Sequence, residues 1–136
     1  MNDAKTDLLE RKILDHITKN AVFTQPTGLY VSLHTADPTD ASAGGNELVD
    51  GPTYKYARKA ATFGAATTSQ AGVTSAVSTN EIEWLNLPAG TVTYIGIWDA
   101  AAAGSLLYRG QLSSSKQFTN GDDFVIHAGS LVLSEA

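Results

Sequence analysis

From residue 28 onward the hydrophobic period of this chain is two, and it is repeatedly cut by turn residues. In LYVSLH (29–34), Leu29, Val31 and Leu33 point one way and Tyr30, Ser32 and His34 the other. The pattern resumes at Tyr54–Phe63, then in VTSAVS (73–78), EIEWLNL (81–87) and TVTYIGIWD (91–99). SLLYRGQL (105–112), Lys116–Thr119, DFVIH (123–127) and SLVLS (130–134) complete it. Between them stand Pro88-Ala89-Gly90, Ala100–Gly104, Asn120-Gly121 and Ala128-Gly129, of which Asn-Gly is the strongest short hairpin signal. About eight short strands with no interleaved helices exclude a parallel Rossmann-type sheet. The expected fold is mainly β: an antiparallel β-sandwich or jelly-roll-like barrel. Gly96, inside the strongest strand, predicts a bulge or a close approach of something to the backbone.

One helix precedes the strands. Leu9, Ile13 and Ile17 recur at helical spacing, Leu14 widens the stripe, and the pattern predicts a helix over about residues 3–19. Asp3 and Asp7 suit its positive end, Lys19 its negative end, and Asn20 a C-terminal stop. With 136 residues, 43% of them hydrophobic, the chain is expected to form a single domain over residues 1–136. No apolar run nears the roughly 20 residues that cross a bilayer, and the charged start MNDAKTDLLERK has no secretory h-region. No membrane partner is expected.

Composition removes several chemistries. There is no cysteine, so thiolate zinc sites, cysteine nucleophiles and disulfides are out. Nine basic residues against fourteen acidic, with no basic cluster, argue against nucleic-acid binding. Charged residues make up only 17%, and a surface rich in Thr, Ser, Ala and Gly suits close contact between subunits, where long side chains would lose rotamer freedom.

The candidate sites are few. His34, Asp37 and Asp40 lie close in sequence, as a metal site or an acid–base pair requires, at the entrance to a long connection over residues 35–53. Asp before Pro38, and Asp opening a Gly- and Ser-rich stretch, are also what capped turns ask for, and that reading is preferred. A connection of this length is uncommon in a compact domain unless it is functional or disordered. Asn120-Gly121-Asp122-Asp123 resembles half of a calcium loop but lacks the rest of its pattern. No G-x-S-x-G elbow or phosphate-binding glycine motif appears, so no catalytic residue, cofactor or metal is expected. Tyr30, Tyr54 and Tyr56 flank the long connection and are the aromatics best placed to stack on a sugar or a neighbouring subunit.

Four stretches, LYVSLHTADPTDA, YARKAATFGAA, GTVTYIGIWDAAAAGSLLYRGQL and GDDFVIHAGSLVLS, together resemble small virion structural proteins of tailed bacteriophages, commonly labelled tail-fibre-like. The resemblance covers almost the whole chain and rests on the order and spacing of the four. It implies a non-enzymatic building block, assembled in many copies on a virion made in the host cytoplasm, with other virion proteins as partners. The segment GGNELVDGPTYK is enlarged relative to that pattern. From these readings, a homo-oligomer that decorates or stabilises the particle is expected. Leu9, Ile13, Ile17, Asp37, Asp40, Tyr54 and Tyr56 are the expected contacts between molecules. The capsid is slightly preferred, because a short chain without repeats or a stalk makes a poor fibre by itself. The alternative is a tail-associated, fibre-like subunit that binds a host receptor or glycan.

Overall fold

The computed structural model describes residues 2–135. They form β1 (Asn2–Lys5), α1 (Asp7–Thr18), β2 (Leu29–His34), β3 (Lys59–Ala61), β4 (Thr67–Thr68) and β5 (Thr74–Val77). After these come β6 (Ile82–Leu87), β7 (Gly90–Trp98), β8 (Leu106–Phe118), β9 (Asp122–Ile126) and β10 (Val132–Glu135). One layer is a five-stranded sheet in the order β1-β8-β7-β2-β3. All of its pairs are antiparallel.

The second layer is a bent ribbon. β6 pairs with β9 and β5 with β10, also antiparallel. Between these pairs, Ser78 donates its N–H to Leu131 and accepts that of Gly129, so the two ladders are consecutive stretches of one strand pair. The chain is therefore mainly β, a sandwich of antiparallel sheets with one helix.

The core lies between the layers. Val31 and Leu33 from β2, with Val92, Ile95 and Ile97 from β7, meet Ile82, Trp84 and Leu87 from β6, and all eight are 2% exposed or less. Trp84 stacks on Phe124 of β9 at 5.7 Å, and its indole N–H donates to Ala57 O at 2.9 Å.

Three elements differ from the sequence reading. The helix begins at Asp7 instead of residue 3, because residues 2–5 pair with Tyr108–Gln111 as an added edge strand. Thr6 is fully buried at the junction. Its hydroxyl donates to Leu106 O at 2.7 Å and its N–H to Leu107 O at 2.9 Å, which turns the chain out of the sheet. At the other end the helix stops as expected, with Asn20 at φ 55°.

Of Tyr54–Phe63 only Lys59–Ala61 is strand, plus a single bridge from Phe63 to Ser78. The earlier residues are drawn away by the N–H of Tyr56 bonding the Asp50 carboxylate and that of Lys55 bonding Asn86 O. Finally, 105–112 and 116–119 are not separate strands. They merge into β8 across an irregularity opposite Thr93, where Tyr94 pairs with Gln111 but Val92 with Lys116.

Candidate functional site

Alternation in β2 makes its Tyr30/Ser32/His34 face the one expected to meet solvent. It does not: Ser32 and His34 are fully buried. The connection 35–53 folds back over that face instead of leaving the domain. Leu48 and Pro38 are buried within it, Glu47 bridges back to His34, and Leu48 N–H bonds Leu33 O at 2.9 Å. Ser42 O accepts the N–H of Leu106 at 2.8 Å. The five-stranded sheet is thus covered on both faces, one by the ribbon and the other by this connection.

Beneath the cover runs a chain of hydrogen bonds whose directions can be deduced. Trp98 Nε1 can only donate, and it meets Ser32 Oγ at 2.7 Å. Gly45 O can only accept, and it meets His34 Nδ1 at 2.6 Å. In neutral His34 the proton is therefore on Nδ1, and Nε2 accepts from the Ser32 hydroxyl at 2.6 Å. Each group is satisfied once, in the order Trp98, Ser32, His34, Gly45.

Gly96 explains why the arrangement fits. It pairs with Ser32, and a Cβ there would stand 2.7 Å from Ser32 Oγ, 2.7 Å from Leu106 Cδ1 and 3.0 Å from His34 Nε2. The close approach expected from the sequence is found, and its cause is these three side chains. Gly96→Ala is expected to cost about 1–3 kcal/mol by overpacking, read from a denaturant titration.

A serine hydroxyl on a histidine held by a third group has the outline of a nucleophile and its base. Here the outline is closed. Both residues are fully buried, and Ser32 Oγ already holds the Trp98 indole. The same burial keeps His34 neutral: desolvation lowers its pKa from 6.5, outweighing the Gly45 carbonyl and the Glu47 charge. A lowered histidine pKa means that the unfolded chain takes up a proton the folded chain refuses. Stability is therefore complete above about pH 6.5 and falls below it by up to about 1.4 kcal/mol per pH unit, until the folded pKa is passed. His34→Gln is expected to flatten that slope when melting is followed from pH 7 to about 5.

Next to this chain lies an ionic cluster. Arg58 clamps Glu47 side-on, Nε to Oε1 at 2.9 Å and Nη2 to Oε2 at 3.0 Å. Its Nη1 donates to Ala103 O at 2.7 Å and Ala100 O at 3.2 Å, and its guanidinium lies 3.5 Å over the Trp98 ring. Burial pushes the Glu47 carboxyl up, but the hydrogen bonds from Arg58 and then Tyr56 hold it below its ordinary value. Tyr56 donates its hydroxyl to Glu47 at 2.7 Å and accepts the N–H of Leu33 at 3.0 Å. Burial, then the Glu47 charge, raise its pKa beyond any working range.

The candidate residues separate accordingly. Asp37 and Asp40 do come together, but not with His34. Both bind Arg109 of β8, Asp37 through both oxygens at 3.0 and 3.1 Å and Asp40 at 3.0 Å. The Asp40 hydrogen bond, above all, raises the arginine's pKa. Asp37 also accepts the N–H of Thr39 at 2.8 Å, as a capped turn requires. At the 120–123 turn, Asp122 bonds Thr119 and Asp123 bonds the N–H of Asn86. Among the described residues no group of carboxylates and histidines is arranged to hold a metal.

Tyr56 is buried, with its hydroxyl engaged on the inside, so it offers no ring face to a ligand. Tyr54 and Tyr30 are half-buried, Tyr54 beside the Gly121 turn. Leu9 is buried, Ile13 half-buried, and Ile17 is 73% exposed. Sequence reasoning missed Ser32, Glu47, Arg58, Trp98 and Arg109. The available signal was an arginine in each of two strand-like runs of a sparsely charged chain.

Fold and site together define a structural β-domain whose buried polar groups hold its own connections in place. The chain belongs to the family described as podophage GP4 fiber I protein gp80, whose model matches residues 4–134. No curated protein matches the chain. It is a structural protein of a tailed-phage virion, as the four stretches suggested, and is fibre-like by family.

Proposed function

We propose that this chain is a non-enzymatic, multicopy subunit of the fibre assembly of the phage particle. The observation that carries the reading is the family match over residues 4–134, whose description names a fibre protein. It outweighs the slight preference for the capsid, which rested only on a short chain without repeats or a stalk. The closed Ser32–His34 pair supports the non-enzymatic part, because a substrate would have to displace the Trp98 indole and the covering connection.

Contact with a neighbouring virion protein is assigned to the outer face of α1 and the segment after it. Leu14 is 60% exposed, Ile17 73% and Val22 86%, a concentration of large apolar side chains that a solvated surface does not need. Leu9, on the inner side of the helix, anchors it to its own domain. A receptor- or glycan-binding role through Tyr30, Tyr54 and Tyr56 is not adopted, since Tyr56 faces inward.

Complementation of a phage lacking this chain tests the proposal. Particles made without it are expected to keep full, stable heads and to lose fibre density, with wild-type protein restoring it. Leu14→Asp/Ile17→Asp protein is expected to fold but to be absent from purified particles. Heads that leak DNA without the chain would point to the capsid and overturn the fibre assignment.

A further inference from the structure

Strand edges invite pairing, and most edges described here are blocked. On β3, the Asn80 side chain accepts the N–H of Thr62 at 2.9 Å and donates to Ala60 O at 3.1 Å, filling the place of a neighbouring strand. β4 has only two residues, and β1 has four with Lys5 among them. On β10, Glu135 is held by Lys5 and Tyr108. β9 is different. It pairs with β6 on one side, its other side has no strand among the described residues, and its middle is Phe124-Val125-Ile126 without lysine or proline. Beside it opens a groove of about 290 Å³ whose walls are partly apolar (Ile95, Leu112, Phe124, Ile126, Leu131) and partly polar, Lys116 of β8 among them.

We propose that β9 pairs antiparallel with β9 of a second copy of this chain, about a two-fold axis at Val125. The strand is self-complementary in that register. Asp123 of one copy falls opposite His127 of the other, twice. Asp123 Oδ1 holds the Asn86 N–H of its own chain at 2.9 Å, which leaves Oδ2 for the partner, and His127 already bonds Glu81 of its own chain at 2.9 Å. The imidazole then lies between two carboxylates, one from each copy. Phe124 falls opposite Ile126 on the inner face, which brings the two grooves together and covers their apolar walls. Because the contact is isologous it closes at two copies, and β6-β9 becomes the half of a continuous four-stranded sheet. A second copy is the occupant favoured here because this charge pattern matches itself end to end.

The inference rests on the multicopy reading above but is tested separately, by sedimentation velocity of the full chain over a wide concentration range. A dimer is expected. Val125→Lys places two like charges on the axis, while within the chain the new lysine faces Glu83, so the fold is kept and the dimer is lost. His127→Glu, which faces the partner with a like charge and leaves the Asp123 bond to Asn86 in place, is expected to raise the dimer Kd about tenfold or more, and Asp123→Lys/His127→Glu to recover most of that loss. Thermal melts of each variant show that it is folded. A monomeric wild type, or a dimer indifferent to Val125→Lys, would overturn the pairing. If that protein still labels particles, the virion role stands without it.

Discussion

Trp84→Ala is expected to destabilise the folded chain by about 3–5 kcal/mol, the largest effect of any single truncation in the core. The side chain is 1% exposed and sits on the ribbon, where it is the largest of the fully buried groups between the layers. Three losses add. The cavity left behind lies within the buried core cluster, on a strand held by its pairing with β9, so the surroundings collapse only in part. The stacked contact with Phe124 disappears, and Ala57 O loses the indole N–H. Trp84→Phe keeps most of the volume and the stacking, and is expected to cost about half as much. Guanidinium titrations of the two variants, with unchanged m-values, check both numbers.

Arg58→Ala comes next, at about 2–4 kcal/mol. Arg58 has 9% of its side chain exposed and Glu47 25%, so removal of the guanidinium leaves a mostly buried carboxylate with only the Tyr56 hydroxyl and partial solvent. The carbonyls of Ala100 and Ala103 lose their donor, and the Trp98 ring loses its stacked cation. Arg58→Lys is expected to recover less than half, because an ammonium cannot fork onto Glu47 and reach the 100–103 turn together. Glu47→Gln is expected to soften the loss in the double variant, since an amide left alone in that place is easier to bury than a charge. Hydrogen exchange should place the loosening in residues 35–53 and 99–105 and spare β6 and β9.

These two positions differ in how far the sequence announces them. Trp84 is legible. Ile82 and Trp84 alternate with Glu83 and Leu85, and burial follows the same alternation. The parity breaks only at Leu87, which is buried one residue later than period two allows, because Asn86 adopts φ 57° at an irregularity opposite Asp122. The helix end at Asn20 was equally readable, since it depends on the local backbone alone. Asn120-Gly121 does form a turn, but it carries the chain from β8 of one layer to β9 of the other, so the expected hairpin pairing is absent.

Arg58 and His34 were not readable. Whether Ser32 and His34 face water depends on where residues 35–53 go, and that is set by contacts far apart in sequence, such as Leu106 N–H to Ser42 O. The connection has no period because it has no sheet of its own. It is not a free surface but a cover whose acids, Asp37, Asp40 and Glu47, are matched by arginines from strand-like segments. Likewise Asn2–Lys5 carries helical composition yet pairs in the sheet, because an open edge on β8 outweighs a weak local preference. In both cases tertiary partners decided what local pattern left open.

The most direct test of the account is where the chain sits on the particle. Purified virions labelled with gold-conjugated antibody against this protein, viewed by electron microscopy, should carry gold in several copies at the fibres and none over the head shell. Gold spread over the capsid, or virions that carry no label at all, would contradict the fibre-subunit reading.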